Sequence, residues 1–179
     1  MTDELEDQII AKTQGYLNAK KHKEAAESAD ALARVDPKDA IVWYLKGKVH
    51  YMSGEHEEAL AALSKAATIQ NNSPDVWLLM GYTLVALRRY DESVQYLEYV
   101  KNLKPDSMEA SAALGIVHAI LGEADAAHAR VADALSLNKA GAVVMLENFN
   151  KQFIASSPAV EAGTKELVEN LIEKARLTK

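Results

Sequence analysis

Two stretches decide the fold: VWYLKGKVHYMSGEHEEALAALSKA at residues 42–66 and VWLLMGYTLVALRRYDESVQYLEYV at residues 76–100. Both open Val-Trp-x-Leu-x-Gly, and their starts lie 34 residues apart. Pro37 and Pro105 stand two such intervals apart, each after a helix-like stretch. Placing Trp43 and Trp77 at the fourth place of a 34-residue unit divides the chain without gaps into units 6–39, 40–73, 74–107 and 108–141.

The places that recur are small or apolar. The eighth holds Thr13, Gly47, Gly81 and Gly115; the twentieth holds Ala25, Ala59, Ser93 and Ala127. The twenty-fourth holds Ala29, Leu63, Leu97 and Val131, and the twenty-seventh Leu32, Ala66, Val100 and Ala134. Each unit therefore reads as two amphipathic helices joined by a short turn. A glycine inside a helix costs about 0.5–1 kcal/mol relative to alanine, so its return at equivalent places points to packing. A tiny eighth residue lets the first helix press on the second at its small twentieth residue, with the fourth-place Trp covering the gap beside them. Gly54 and Gly122 sit in the turn between helices. Lys20 and Arg88 hold that place in the other units, where the turn has to close without glycine. Pro37 and Pro105 end the second helix.

Composition agrees. The 179 residues suffice for one domain with a substantial core. Hydrophobic residues make up 49% of the chain, which excludes wholesale disorder. Aromatics are 6%, with only 4 Pro and 8 Gly, which disfavours a turn-rich β fold. There is no Cys, hence no disulfide, thiolate metal site or Cys nucleophile. The start MTDELEDQII is acidic where a secretion signal is basic and then apolar. No apolar run approaches the roughly 20 residues that span a bilayer. The expectation is a cytoplasmic protein without membrane insertion. A net charge of −6 argues against nucleic-acid backbones as ligands.

The pattern resembles the tetratricopeptide repeat family, on WYLKG, WLLMG, EEALAALSKA, DESVQYLEYV and the strict period over about residues 6–141. The resemblance implies an all-α, right-handed superhelical solenoid of antiparallel helix pairs, with the first helices lining a concave groove. The first unit is degenerate, with Ile9 for Trp and Thr13 for Gly; the fourth has Ser111 for Trp and Lys139 for the closing Pro. Residues 142–179 read as extra and capping helices. Phe149 stands where a fifth unit would need Gly, Ser157 and Pro158 offer a cap and first residue for the last helix, and Leu167, Val168, Leu171, Ile172 and Ala175 form its apolar face. Capping of the solenoid end competes with a separate docking or dimerising role for that helix.

Carried over place by place, the resemblance puts Ile10, Gln14, Leu17, Tyr44, Lys48, Tyr51, Met52, Leu78, Tyr82, Val85, Ile116 and Ile120 in the groove. The second place adds a mildly acidic rim of Asp7, Asp75 and Glu109, interrupted by Ile41. Such a surface suits a helix or extended peptide with apolar anchors and basic flanks. The competing reading is that neighbouring repeats or the chain's own tail bury these side chains. The family's cationic ring for acidic chaperone tails does not form in either register: Ile10, Gln14, Leu45, Asp75 and Leu79 occupy it in one, Tyr44, Lys48, Leu79, Glu109 and Ala113 in the other.

Catalysis finds no footing. His22 and His56 share the seventeenth place and His50 and His118 the eleventh, as aromatic substitutes; with His128 they show no metal-ligand spacing. Phosphate loops and nucleophile elbows are missing. The sequence thus points to a non-enzymatic scaffold, without cofactor or metal, that holds a partner's peptide segment and helps assemble a complex. The alternative is a self-associating structural protein that forms homo-oligomers through its terminal repeats or last helix.

Overall fold

Every turn inside a repeat closes on one left-handed residue. A computed structural model describes residues 2–155, 157–158 and 160–177, and among them are nine α-helices and no strand. They are α1 (Thr2–Asn18), α2 (His22–Val35), α3 (Ala40–Ser53), α4 (His56–Ile69), α5 (Pro74–Ala86), α6 (Tyr90–Leu103), α7 (Met108–Ile120), α8 (Ala124–Phe149) and α9 (Ala162–Leu177). A π-helical turn, Asn150–Ile154, continues α8. The turn residues Lys20, Gly54, Arg88 and Gly122 have φ of 56°, 81°, 59° and 80°. In three of these turns the next residue donates its N–H back into the preceding helix: Lys21 to Tyr16 O, Glu55 to His50 O and Glu123 to His118 O, each at 2.9 Å. His50 and His118 do more than stand in for aromatics. Their Nδ1 atoms lie 2.6 and 2.5 Å from the carboxylates of Glu55 and Glu123, clasping the same turns.

The close of each unit is equally regular until the fourth. Asp36, Gln70 and Lys104 leave their helices in one extended conformation, with φ of −132°, −138° and −137°. Three residues follow before the next helix starts at Ala40, Pro74 and Met108. Asn138, the equivalent residue, is also extended at φ −157°, yet the helix resumes at once. Its side-chain Oδ1 accepts from Gly141 N at 3.0 Å and so caps the second limb of α8. The three-residue spacer is therefore skipped. This moves the register, and Leu146 rather than Phe149 takes the place of the expected glycine. Phe149 packs instead against Phe153, ring centroids 5.3 Å apart.

The chain divides into two compact units, Met1–Leu87 and Arg88–Lys179. In the first, α1 pairs with α2 and α3 with α4, α2 packs on α3, and α4 on α5. Leu17, Ala25, Ala29 and Val49 form one core cluster and Leu32, Val42 and Leu45 another. The sequence rationale for glycine holds here: a methyl on Gly47 would fall 2.6 Å from Leu63 Cγ and 3.3 Å from Ala59 O. Thr13, at that place in the first repeat, is fully buried and meets Ser28 Oγ at 2.8 Å. Thr13 also donates to Ile9 O, so Ser28 must supply the proton they share. The tryptophans also make a hydrogen bond. Trp43 Nε1 donates to Pro37 O at 2.8 Å and Trp77 Nε1 to Asn71 O at 2.6 Å, so each indole braces the turn before its own helix.

In the second unit α7 lies against α6, α8 and α9. A methyl on Gly115 would sit 2.7 Å from Val131 Cγ2 and 3.4 Å from Ala127 O. Ser111, which replaces the tryptophan, is buried and bonds Asp133 Oδ2 at 2.5 Å; Lys101 Nζ reaches the same oxygen at 2.9 Å. These two hydrogen bonds, Ser111's first, hold the Asp133 carboxyl below the usual aspartate range. Helix α9 begins at Ala162, so Ser157 and Pro158 precede it instead of starting it; Ser156 and Ala159 of that break lie outside the described residues. Val168, Leu171, Ile172 and Ala175 are buried in their own unit, with Leu167 half-buried beside them.

Candidate functional site

On α3 the residues Ile41, Tyr44, Lys48, Tyr51 and Met52 follow one helical stripe, since steps of three and four return to the same face. The neighbouring stripe, Val42, Leu45 and Val49, about 100° round the helix, is buried. Hydrophobic burial thus fixes the helix rotation and leaves the first stripe outward. Ile41 is 51% and Met52 41% exposed, while Tyr44, Lys48 and Tyr51 are half-buried. The matching stripe on α5 carries exposed Asp75 and half-buried Leu78 and Tyr82; that on α1 carries half-buried Ile10 and exposed Gln14. Ile10 and Tyr44 both rest on the Leu32–Val42–Leu45 cluster. Tyr51 tilts against His56, centroids 5.5 Å apart.

Three expected groove residues are inside the protein. Leu17 and Val85 are 3% and 2% exposed, and Ile116 is fully buried. Leu17 packs into the cluster of Ala25, Ala29 and Val49, between α1, α2 and α3. Ile116 belongs to a helix with buried residues on every side, Ala110 through Val117, enclosed by α6, α8 and α9. None of the three is available to a partner. Ile120 is half-buried in the second unit.

Within the first unit the outward stripes open into a cleft of about 220 Å³. Its floor is Ala40, Leu45 and Val76, all buried; Tyr44 forms a wall; Gln14, Ile41, Gln70, Ser73 and Asp75 form the rim. Of the expected groove residues, the cleft brings together Gln14 and Tyr44. Burial raises the Tyr44 phenol above its ordinary pKa, and the nearby Asp75 charge adds to this, so the hydroxyl keeps its proton. Gln70 and Ser73 escaped the sequence reading because they lie in the spacer between repeats, not on a first helix. A larger cleft, about 510 Å³, lies in the second unit between the π-helical turn and α9, with Glu147 and Arg176 paired across it at 2.7 Å. No expected site residue lines it. Among the described residues no group of three or more His, Cys, Asp or Glu side chains could hold a metal, and no helix is long and apolar enough to cross a membrane.

Superkiller complex protein 3 of Mus musculus is 28% identical over 108 residues, covering 60% of this chain and 7% of that protein. This chain thus matches less than a tenth of that relative's length. The crystal structure of MamA superposes with a TM-score of 0.71 over 97% of this chain and 91% of that one, at 16% identity. The second tetratricopeptide domain of human RPAP3, solved with the HSP70 peptide SGPTIEEVD, superposes with a TM-score of 0.62 over 65% of this chain and 98% of that one, at 17% identity. Two family models describing the tetratricopeptide repeat match residues 12–74 and 50–115. Together they span more than half of the chain, over the region where the structure repeats its turns, caps and glycine contacts, and the chain belongs to the tetratricopeptide repeat family.

Proposed function

We propose that this interaction-scaffold fold holds an apolar or amphipathic peptide segment of a partner protein along the outward stripes of α1, α3 and α5, and so helps assemble a complex without catalysis. The observation that carries the reading is the combination on α3 of exposed Ile41 and Met52 with half-buried Tyr44 and Tyr51. Helices of a folded core leave such a face uncovered at a cost, and an aromatic–aliphatic stripe is what a peptide ligand needs for area and rigidity. Ile10, Gln14, Lys48, Leu78 and Tyr82 extend the surface. The bound HSP70 peptide of the RPAP3 domain is acidic at its end; here the corresponding places lack the cationic ring, which favours a different ligand chemistry.

The test is quantitative recovery of cross-linked partners with the wild type and with a Met52→Glu/Tyr82→Ala variant whose circular dichroism and melting match. The variant is expected to lose the partners that the wild type recovers. Equal recovery would remove the groove from the argument.

A further inference from the structure

Resting on the peptide-binding reading, we propose that the cleft beside Tyr44 takes the side chain of an arginine on the bound segment. The lining is one-sided in charge. Asp75 contributes a carboxylate and no Lys, Arg or His lines the cleft. Asp75 forms no ion pair among the described residues. Around it stand further acceptors: the amide oxygens of Gln14 and Gln70, and the hydroxyl of Ser73, which makes no capping bond to its own helix. The floor below them is hydrocarbon.

That arrangement selects a particular chemistry. A carboxylate ligand would face Asp75. A purely aliphatic one would cover an unpaired charge. A long cationic side chain satisfies both layers, its methylene stem on the floor and its head among the rim acceptors. Arginine fits better than lysine because its planar fork presents five N–H donors to divergent acceptors and can lie over the Tyr44 ring. The net charge of −6 draws basic segments toward the surface.

The experiment uses the full chain, ¹⁵N-labelled, and three acetylated, amidated pentapeptides: Ala-Leu-Arg-Leu-Ala and its lysine and citrulline counterparts. Citrulline keeps the shape of arginine without the charge. The arginine peptide is expected to shift the amides of Ile41, Gln70 and Val76. It should bind about three- to tenfold more tightly than the citrulline peptide, a margin set by one partly exposed ion pair and shrinking with added salt. In Asp75→Asn the preference should fall to about onefold, and Tyr44→Phe should keep it. Equal affinity for arginine and citrulline would overturn the arginine anchor while leaving the peptide groove standing. So would tighter binding of the lysine peptide, an undiminished preference in Asp75→Asn, or silence of these amides up to about 5 mM peptide. Loss of partner recovery in the Met52→Glu/Tyr82→Ala variant is decided separately, since neither residue lines this cleft.

Discussion

One substitution, glycine to alanine, is expected to act with opposite sign at two helical positions. At Gly115 the new methyl would lie 2.7 Å from Val131 Cγ2, with Val131 N at 3.3 Å and Ala127 O at 3.4 Å behind it. Carbon atoms prefer about 3.5–4.0 Å, so the contact is short by about 1 Å. Val131 is 3% exposed and β-branched, which leaves it one favoured rotamer and no space to turn into. The helices α7 and α8 have to separate. Overpacking of this kind costs about 1–3 kcal/mol, against a helix-propensity gain of about 0.5–1 kcal/mol. The expected net loss is about 1–2 kcal/mol. Gly15 also lies inside a helix, but nothing lies within 4 Å of its added methyl, so only the propensity gain remains. For a chain of this size 1 kcal/mol moves the melting midpoint by about 2–4 °C. Gly115→Ala should therefore melt about 4 °C below the wild type and Gly15→Ala about 2 °C above it.

The cause can be isolated from the sign. Val131→Ala alone should cost about 2 kcal/mol as a cavity. In the double variant the methyl added at Gly115 partly fills that cavity and meets no Cγ atom, so the two changes should couple favourably by about 1–2 kcal/mol. Urea midpoints at constant slope measure the four corners of the cycle. Additive effects, or a Gly115→Ala protein as stable as the wild type, would refute the claim that glycine is there for helix contact.

Two further outcomes follow from the turns and from the fourth repeat. Lys20 and Arg88 hold the left-handed conformation that glycine holds in the sister turns; Lys20→Gly and Arg88→Gly should each raise stability by about 0.5–1 kcal/mol, read as a rise in melting midpoint, because a Cβ is strained there. Asp133 has a carboxyl pKa lowered by Ser111 and Lys101, so its stabilisation is complete above the unfolded value near about 3.9 and drains away as pH falls through the lower folded value. Asp133→Asn should cost about 1 kcal/mol at pH 6, a figure kept small by the 38% exposure of the side chain, and progressively less as pH falls below about 4; urea midpoints along that series decide it, and a difference independent of pH would refute the assignment.

Legibility tracked how local the cause was. The helix pairs were readable because a glycine facing a small residue at fixed spacing is a contact written in two letters, and Gly47 over Leu63 and Ala59 is that contact in coordinates. The turns were readable from Gly54 and Gly122, but the sequence did not show that Lys20 and Arg88 adopt the same left-handed geometry. The tryptophans were located correctly, but their hydrogen bonds were not foreseen, since an indole N–H reaching a carbonyl six residues back has no sequence signature. The end of the solenoid escaped for a related reason. One Asn side chain replaces a three-residue spacer at Asn138, and counting by 34 cannot see a cap that shortens the count.

The groove shows the deeper limit. A repeat place predicts which way a side chain leaves its own helix, but exposure depends on what else is laid over that helix. Tyr44 and Ile116 sit four places apart on equivalent helices, and place-by-place reasoning treats both as lining. In the first unit Ile41 and Met52 on the α3 stripe remain 51% and 41% exposed. In the second unit α9 has been added against α7 and α8, and α7 carries buried residues all round. Helix α9 covers apolar side chains of α7 and α8, and Ile116 is fully buried there. Capping and binding draw on one kind of side chain, so a repeat covered by a further helix is closed to ligands at that place as well, while the α3 stripe of the first unit keeps Ile41 and Met52 exposed.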